Sequence, residues 1–507
     1  MQKRKHMAFD DMQVLLRFGN GHMTETAFLL LEIRDAGAAR QWLDAAPVSA
    51  AAALQPPPET SLQIAFSAAG LAAIGLDPAV IDEFSDEFIV GMSGDASRSR
   101  RLGDVDSNAP DHWEWGGRPQ QMPHILLMLY ATRDRFSAWR TGIIDATFTR
   151  AFELLAELPT DTLQATEPFG FVDGISQPKI DWAQQQSTDP HDRATYFNWL
   201  APGDVVLGYP NEYGLFTPRP LIDPGADGRA ALLADAEDAP GMKDFGRNGC
   251  YLVIRQLQQD VPGFWQFIDR AVESDAAQRE RLAASMVGRQ RDGRPLVSAR
   301  ETVAGVPNTA TNNQFTYAQD PAGRQCPLGA HIRRTNPRTG DYPPGVTGLF
   351  SRLVRALGFG LSRPDADLTA SSRFHRLLRR GRNYGPVLTP EEAVKPDAPV
   401  AERGLQFICL VGNISRQFEF VQNAWIVNSK FGGVQNERDP LLGIRTQLLN
   451  QAPTDRFRQP DERGPTRTHC AMQQFITVKG GGYFFMPGLR ALKYLAGLTA
   501  SKDDPPS

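Results

Sequence analysis

The stretch Ala27-Phe-Leu-Leu-Leu-Glu-Ile33 and the stretch Ala36-Gly-Ala-Ala-Arg-Gln-Trp-Leu-Asp-Ala-Ala46 that follows it indicate the fold class. The first is short, apolar and preceded by the turn residues Gly19-Asn-Gly21, so it is predicted to be a strand. The second is predicted to be a helix. A strand followed closely by a helix is therefore the first structural unit that the chain predicts.

The same mixture continues to the end of the chain. Further strands are predicted at residues 12–18, 62–66, 125–130, 251–254 and 405–411, and helices at residues 71–76, 135–158 and 261–272. Residues 475–478 and 483–485 are predicted as a pair of strands around three glycines, followed by an amphipathic stretch at 489–495. Because strands and helices mix without regular βαβ spacing, the sequence predicts an α+β fold with helices packed on antiparallel sheets, in two halves that meet near residues 180–205.

The composition is that of a folded protein with nearly balanced charge. The 507 residues suit about two to four domain-sized units, or two enlarged ones. The 54 Lys and Arg residues nearly balance 58 Asp and Glu residues, giving a formal net charge of -4. The protein therefore lacks the global positive charge that would favour a nucleic-acid partner.

Other sequence signals argue against a membrane-spanning segment and against a site built from several cysteines. No stretch is long and apolar enough to predict an integral membrane segment, and no signal peptide is visible, so a cytoplasmic location is expected. The four cysteines are far apart in the chain and are predicted to be isolated thiols: Cys250, Cys326, Cys409 and Cys470.

Three polar segments carry residue types that suit catalysis or cofactor binding. In Gly170-Phe-Val-Asp173-Gly174, glycines let the backbone approach a flat ligand and present one acid to it. In Cys326-Pro-Leu-Gly-Ala-His331, the histidine precedes three arginines and suits a metal or haem ligand whose cofactor carries anionic groups. The segment Leu377-Leu-Arg-Arg-Gly-Arg-Asn-Tyr-Gly385 suits stabilisation of developing negative charge.

Each segment also has an ordinary explanation when it is taken alone. Asp-Gly is a common turn, a lone histidine is usually a core or surface residue, and an arginine-rich loop is usually solvated. No two of the other seven histidines have metal-ligand spacing on a predicted helix, so a site with several histidines has no local support.

Together, and in this order, the three segments resemble the dye-decolorizing peroxidase family of haem proteins. The family shows the Gly-x-x-Asp-Gly turn, a Cys-Pro-x-x-Ala-His-x-Arg-x-x-x-Pro-Arg segment and a later Leu-Arg-Arg-Gly-x-x-Tyr-Gly segment. Stretches 203–213, 246–255 and 418–425 also look familial, so the resemblance covers roughly residues 12–496. It implies two ferredoxin-like α+β domains, each an antiparallel sheet with packed helices, expected at residues 1–200 and 201–507.

The resemblance implies roles for particular residues around haem b (iron protoporphyrin IX). His331 would be the axial ligand of the haem iron, and Arg338 would pair with a haem propionate. Asp173 would be the distal acid-base residue and Arg379 the distal arginine, with Arg380 as its competitor.

The expected site has two further lining residues, and the hydrogen-bond partner of its axial histidine is left open between two residues. Leu405 and Phe407, two apart on a predicted strand, share a face and would line the distal haem pocket. Ser415 occupies the region where long family members place a carboxylate that hydrogen-bonds the axial histidine, and Glu419 is the alternative.

The family usually has a shorter gap between the axial histidine and the distal arginine. Here an insertion at about residues 340–373, rich in Pro and Gly, supplies the excess. It contains leucines at i, i+4 spacing that predict either a basic amphipathic helix for a membrane or partner, or a helix packed on its own domain.

The expected function is that of a haem peroxidase. It would reduce hydrogen peroxide and oxidise bulky aromatic or dye-like donors, with best turnover at acidic pH. Donors too large for the pocket would deliver electrons at the surface through Trp425, Tyr384 or Tyr483. The alternatives are a haem carrier or sensor without turnover, and an enzyme that removes iron from haem, resembling a deferrochelatase.

Overall fold

A nine-stranded antiparallel sheet runs through both halves of the protein. The computed structural model describes residues 7–184, 199–297, 312–317, 320–338, 371–445, 452–461 and 464–498. Residues 185–198, just before the expected domain boundary, and most of the expected insertion, including its leucine-rich helix, lie outside these residues. The domain limits stay predictions.

The strands, in chain order, are β1 Glu25–Ile33, β2 Thr60–Phe66, β3 Ile125–Ala131, β4 Phe152–Leu158, β5 Lys179–Ile180, β6 Trp199–Leu200, β7 Leu221–Ile222, β8 Ala234–Asp235, β9 Lys243–Asp244, β10 Cys250–Gln259, β11 Leu378–Arg379, β12 Arg382–Tyr384, β13 Gly404–Val411, β14 Phe457–Gln459, β15 Arg467–His469 and β16 Ile476–Met486. The described helices are α1 Ala36–Ala45, α2 Ala68–Ala73, α3 Pro78–Ile81, α4 Asp86–Val90, α5 Ala96–Leu102, α6 Phe136–Ile143, α7 Ala146–Ala151, α8 Val261–Ala271, α9 Ala276–Val287, α10 His331–Thr335, α11 Pro390–Ala393 and α12 Leu489–Ala496. Two π-helical turns span Ser415–Glu419 and Val421–Ile426.

Each half has the ferredoxin-like arrangement. In the N-terminal half the strands lie side by side in the order β4-β1-β3-β2, with α1 between β1 and β2 and α6 and α7 between β3 and β4. In the C-terminal half the order is β11-β13-β10-β16. Helices α8 and α9 follow β10, and β12 also pairs with β13. The two sets join where Phe66 of β2 pairs with Phe485 of β16. The α+β prediction is therefore confirmed.

Both faces of the sheet are buried, which explains why its strands are continuous apolar runs. In β1, Leu29 and Leu31 face one core, whereas Phe28 and Leu30 face the other. The predicted strands at β1, β2, β3, β10 and β13 and the predicted helices at α1 and α8 are confirmed, and the amphipathic stretch at 489–495 forms α12. No described helix is long and apolar enough to cross a membrane.

The predicted strand at residues 12–18 is wrong. This segment forms a short 3-10 turn, Val14–Leu16, with three buried side chains. Gln13 holds it in place: its side-chain amide donates to the carbonyls of Ile64 and Pro487 and accepts from the amide of Ile64. The strand pairing of this apolar segment is limited to one isolated bridge between Gln13 and Ala50, and side-chain hydrogen bonds supply the rest of its anchoring.

The predicted long helix at residues 135–158 is also wrong. It is broken into α6, α7 and β4, and Asp145 starts α7 by accepting a hydrogen bond from the amide of Phe148 at 2.7 Å. β4 has good helix formers, but its backbone pairs with β1 at the sheet edge. This tertiary pairing overrides its local helix propensity.

The glycines at 480–482 do not separate two strands, as predicted, but lie inside the single strand β16. Because glycine has no side chain, these residues leave room for neighbouring side chains, and they do not form a turn. A Cβ atom on Gly480 would lie 2.3 Å from Nε1 of Trp115, and one on Gly481 would lie 2.8 Å from Sδ of Met92. β16 therefore needs glycine at its close packing with the loops around Trp115.

Substitution of Gly480 by Ala is expected to destabilise the protein by about 1–3 kcal/mol, because the buried Trp115 ring must move. Substitution of Gly142 by Ala in α6 is the matched control: a Cβ there meets nothing within 4 Å, and alanine favours a helix. Urea unfolding measures both. Equal stability of the G480A and G142A variants would contradict this account of β16.

Candidate active site

A cavity lined by residues of both halves brings together the segments that the sequence singled out. Its walls include Asp173, His331, Arg379, Leu405 and Phe407. The cavity has a volume of about 210 Å³. Four separate parts of the chain therefore meet at one cavity.

One end of the cavity holds a carboxylate and a guanidinium in contact. Oδ1 of Asp173 lies 2.8 Å from Nη1 of Arg379, which donates a hydrogen bond to it. The side chains keep 43% and 27% of their surface open, and both line the cavity, so this open surface faces the cavity. The pair is therefore accessible to a small molecule in the cavity.

The backbone around this pair is held on both sides. Gly170 and Gly174 have positive φ angles of 93° and 80°, which glycine adopts without strain. Gln177 then ties the loop to β11, since its side chain donates to the Arg379 carbonyl and accepts from the Arg379 amide, each at 3.0 Å. Asp173 and Arg379 are thus positioned by main-chain contacts as well as by their own hydrogen bond.

Glu167 shapes the same loop and was not identified from the sequence. Its carboxylate accepts from the amides of Phe169 and Phe171, each at 3.0 Å, and from the side chain of Gln259 at 2.9 Å. Burial raises the pKa of Glu167 to about 7, although these hydrogen bonds oppose the shift. Glu167 lies six residues before Asp173 in the sequence, but no local sequence pattern marks it as the side chain that accepts hydrogen bonds from this turn.

The charges within the cavity set the protonation of Asp173. Burial raises the pKa of its carboxyl, but the Arg379 charge and hydrogen bond outweigh burial and hold the pKa below its ordinary value. Asp173 is therefore an ionised carboxylate at neutral and mildly acidic pH.

The opposite assignment, with Arg380 as the cavity arginine, does not fit the structure. Arg380 donates through Nε to the carbonyl of Leu15 at 2.7 Å and is not among the residues that line the cavity. Successive side chains at this strand end point in different directions, and only Arg379 reaches Asp173.

His331 begins α10 and hydrogen-bonds a buried acid. Its Nδ1 lies 2.9 Å from Oδ2 of Asp439, and Oδ1 of Asp439 accepts from the amides of Leu441 and Leu442. Burial lowers the pKa of His331, but the Asp439 charge and hydrogen bond outweigh this and raise it. With Nδ1–H donating to Asp439, Nε2 is the ring nitrogen left for a ligand, and no described residue hydrogen-bonds it.

Asp439 corrects the sequence-based alternatives for the partner of His331. Ser415 hydrogen-bonds Asn413, and Glu419 accepts from the hydroxyl of Tyr483 at 2.9 Å and pairs with Arg98. Asp439 lies 108 residues from His331 in the sequence. Only the folded structure brings the two together.

Arg338 lies outside the cavity wall. It is fully buried and donates to the carbonyls of Asn313 and Phe315 and to the side chain of Asn313. Three other arginines, Arg255, Arg289 and Arg376, do line the cavity and were missed, and of these Arg255 pairs with Asp104. Arg289 donates to Ser176, Gly293 and Asn312, all neutral groups.

Positive charge is concentrated on this side of the cavity. Burial, together with the charges of Arg338 and Arg379, lowers the pKa of Arg376 to about 9. Burial, together with the charge of Arg289, lowers the pKa of Arg338 to about 10. Buried cations that repel one another indicate that the site suits a ligand with anionic groups.

The residues present fit a haem. His331 offers Nε2 to a metal, the repelling cations suit carboxylate substituents, and Leu405, Phe407 and Phe171 supply apolar wall for a flat ring. Among the described residues there is no cluster of three or more His, Cys, Asp or Glu that suits a metal held by protein groups alone.

Curated relatives cover most of this chain. It is 30% identical over 400 residues to the multifunctional dye peroxidase DyP2 of Amycolatopsis sp., a match that covers 75% of this chain and 73% of that protein. It is 28% identical over 492 residues to peroxidase 2 of Mycetinis scorodonius, covering 92% and 83%, respectively. No family model matches the chain.

Solved structures share the fold. An ancestral D-type dye-decolorizing peroxidase aligns with a TM-score of 0.70 at 23% identity, covering 96% of this chain and 99% of that one. The peroxidase of Auricularia auricula-judae in complex with imidazole aligns with a TM-score of 0.70 at 23% identity, covering 97% and 100%.

Substitution of Arg379 by Gln is expected to raise the pKa of Asp173, because it removes the charge that opposes burial. Ionised Asp173 stabilises the fold above its unfolded pKa, and this stabilisation is lost as the pH falls through the lower folded pKa. In the R379Q variant the folded pKa moves towards or above the unfolded value, so this contribution to stability shrinks or changes sign. Carboxyl ¹³C resonances of Asp173 followed against pH measure the shift.

The R380Q variant is the control for this experiment. Arg380 is also a buried arginine of the same segment, but it donates to Leu15 rather than to Asp173. An equal rise of the Asp173 pKa in both variants would refute the specific pairing.

Proposed function

The chain belongs to the dye-decolorizing peroxidase family, and we propose that it uses haem b to reduce hydrogen peroxide and to oxidise bulky aromatic or dye-like donors. The observation that carries this proposal is the Asp173–Arg379 pair, which shares one cavity with His331. Haem storage or sensing needs a ligand but no such pair, so the pair favours turnover. A cytoplasmic location stays a prediction from the sequence.

The cofactor would be held from two directions. His331 would bind the iron through Nε2, while Asp439 keeps the proton on Nδ1 and fixes the ring. Arg289, Arg376 and Arg338 would neutralise the propionates, Arg338 after exchanging some of its present hydrogen bonds. The bound haem supplies the redox chemistry, namely binding of peroxide at iron and transfer of electrons to it.

Asp173 would move the proton. Peroxide must lose a proton from one oxygen and gain it on the other as the O–O bond breaks. The ionised carboxylate of Asp173 accepts this proton and returns it to the departing oxygen as water forms. Its low pKa supports this role as a base in acid, which is the basis for expecting best turnover at acidic pH.

Arg379 and the apolar residues would assist the proton transfer. The guanidinium of Arg379 stays charged and stabilises the negative charge that develops on the peroxide oxygens. Leu405 and Phe407 lie on β13 and keep water away from that side of the cavity. A cavity of this kind admits peroxide but not a dye molecule.

Bulky donors would meet the protein at its surface. Trp425, Tyr384 and Tyr483, the three residues expected there, are all buried and cannot contact a bulky donor directly. Tyr213 is 54% exposed and stacks on Phe374, with ring centroids 4.2 Å apart. Two residues after Phe374, Arg376 lines the cavity, so we place donor contact at Tyr213.

Substitution of Asp173 by Asn is expected to slow the reaction of the haem-loaded protein with peroxide by roughly 10²–10⁴-fold, because the proton acceptor is lost. Stopped-flow spectroscopy of the Soret band at matched pH measures this rate. An unchanged rate would assign proton transfer to another group. Accumulation of protoporphyrin and free iron in the wild type would instead favour removal of iron from haem.

Substitution of Tyr213 by Ser is expected to lower kcat/KM for a bulky dye while leaving the rate of the peroxide reaction unchanged, since Tyr213 lies outside the cavity. The Y384F variant is the control, because it changes a buried tyrosine. Steady-state dye oxidation and stopped-flow spectroscopy give the two rates. Equal dye kinetics in the wild-type and Y213S proteins would exclude this donor site.

A further inference from the structure

Arg334 is a fully buried arginine on α10, three residues after His331, and it does not line the cavity. Its guanidinium donates four hydrogen bonds, all to main-chain carbonyls. Nε donates to Gly329 at 3.2 Å, and Nη2 donates to Glu437 at 2.6 Å. Nη1 donates to Trp425 and Asn428, at 2.9 and 3.0 Å.

These carbonyls belong to three segments that surround His331. Gly329 is in the turn that leads into α10, and Trp425 is in a π-helical turn whose residue Ile426 lines the cavity. Glu437 precedes Asp439 by two residues. One side chain therefore ties the helix of His331 to the loop that carries its hydrogen-bond partner.

Close packing at Gly329 shows that the two segments touch. A Cβ atom on Gly329 would lie 1.7 Å from Oε1 of Glu437, so no other residue fits without displacing this buried side chain. The charges of Asp439 and Glu437 also favour a cation here, although burial lowers the pKa of Arg334. Charge and shape both suit an arginine at this point.

We propose that Arg334 is a positioning residue that fixes the His331–Asp439 hydrogen bond by holding the Glu437–Asp439 loop against α10. Its planar fork donates from three separate nitrogens, whereas lysine has only one nitrogen from which to donate. Loss of Arg334 frees the loop, so Asp439 no longer holds the imidazole in one orientation. The consequence for haem rests on the proposed role of His331 as axial ligand.

Arg333 provides a matched control next in the chain. It is also buried, and it donates three hydrogen bonds, to the carboxylate and carbonyl of Asp320 and to the carbonyl of Cys326. None of these groups belongs to the Asp439 loop. The R333Q variant therefore loses comparable buried hydrogen bonds without releasing Asp439.

The first measurement uses the haem-free chain and follows the Nδ1–H resonance of His331 by ¹⁵N-edited NMR at fixed pH. The R334Q variant is expected to lose this resonance or shift it to the position seen in D439N, whereas R333Q keeps the wild-type position. Urea unfolding reports the loss of stability in both. If R334Q keeps the wild-type resonance, or if R333Q moves it equally, Arg334 has only a structural role and the proposal is wrong.

The second measurement uses the haem-loaded protein. The R334Q variant is expected to release haem to excess apomyoglobin roughly 10–100-fold faster than the wild type, and to shift the iron–histidine stretching frequency as D439N does. If neither R334Q nor D439N changes the frequency, His331 is not the axial ligand, and the NMR result still decides the role of Arg334. Should R334Q fail to fold, R334K keeps the charge and is expected to give a smaller shift of the same resonance.

Discussion

The hydrogen bond between His331 and Asp439 is the contact on which the rest of the site depends. It leaves a single ring nitrogen directed to a ligand, and it joins two parts of the chain 108 residues apart. Asp439 is fully buried and also accepts two amides, so its geometry is fixed before any ligand arrives. A buried charge with three hydrogen bonds is costly to move, which makes this side of the cavity rigid.

Local patterns predicted the elements that are strongly apolar and the residues that lie in short motifs. β1, β3 and β13 were recognisable because two buried faces require uninterrupted apolar runs. Asp173, His331 and Arg379 were recognisable because the three motifs that contain them, taken together and in order, resemble those of the dye-decolorizing peroxidase family. The structure places the three on one cavity, and their chemical roles stay proposals.

Long-range contacts account for what the sequence could not predict. β4 has the composition of a helix, and only its pairing with β1 makes it a strand. Asp439 and Glu167 resemble many other acids until their hydrogen-bond partners are known, and nothing in the sequence distinguishes Arg289 from its neighbours Arg291 and Arg294. The near-neutral net charge also hides the buried arginines, because charge totals carry no information on position.

The pairing of β11 with β13 has a consequence for the length of the chain between His331 and Arg379. Arg379 lies opposite Cys409, so the ladder of β13 sets its place whatever length of chain leads into β11. Doubling the length of such a connection costs only about 0.6 kcal/mol in closure entropy. The number of residues between His331 and Arg379 therefore does not set their separation in the site. Relatives can differ greatly in that number and still share the same spatial arrangement.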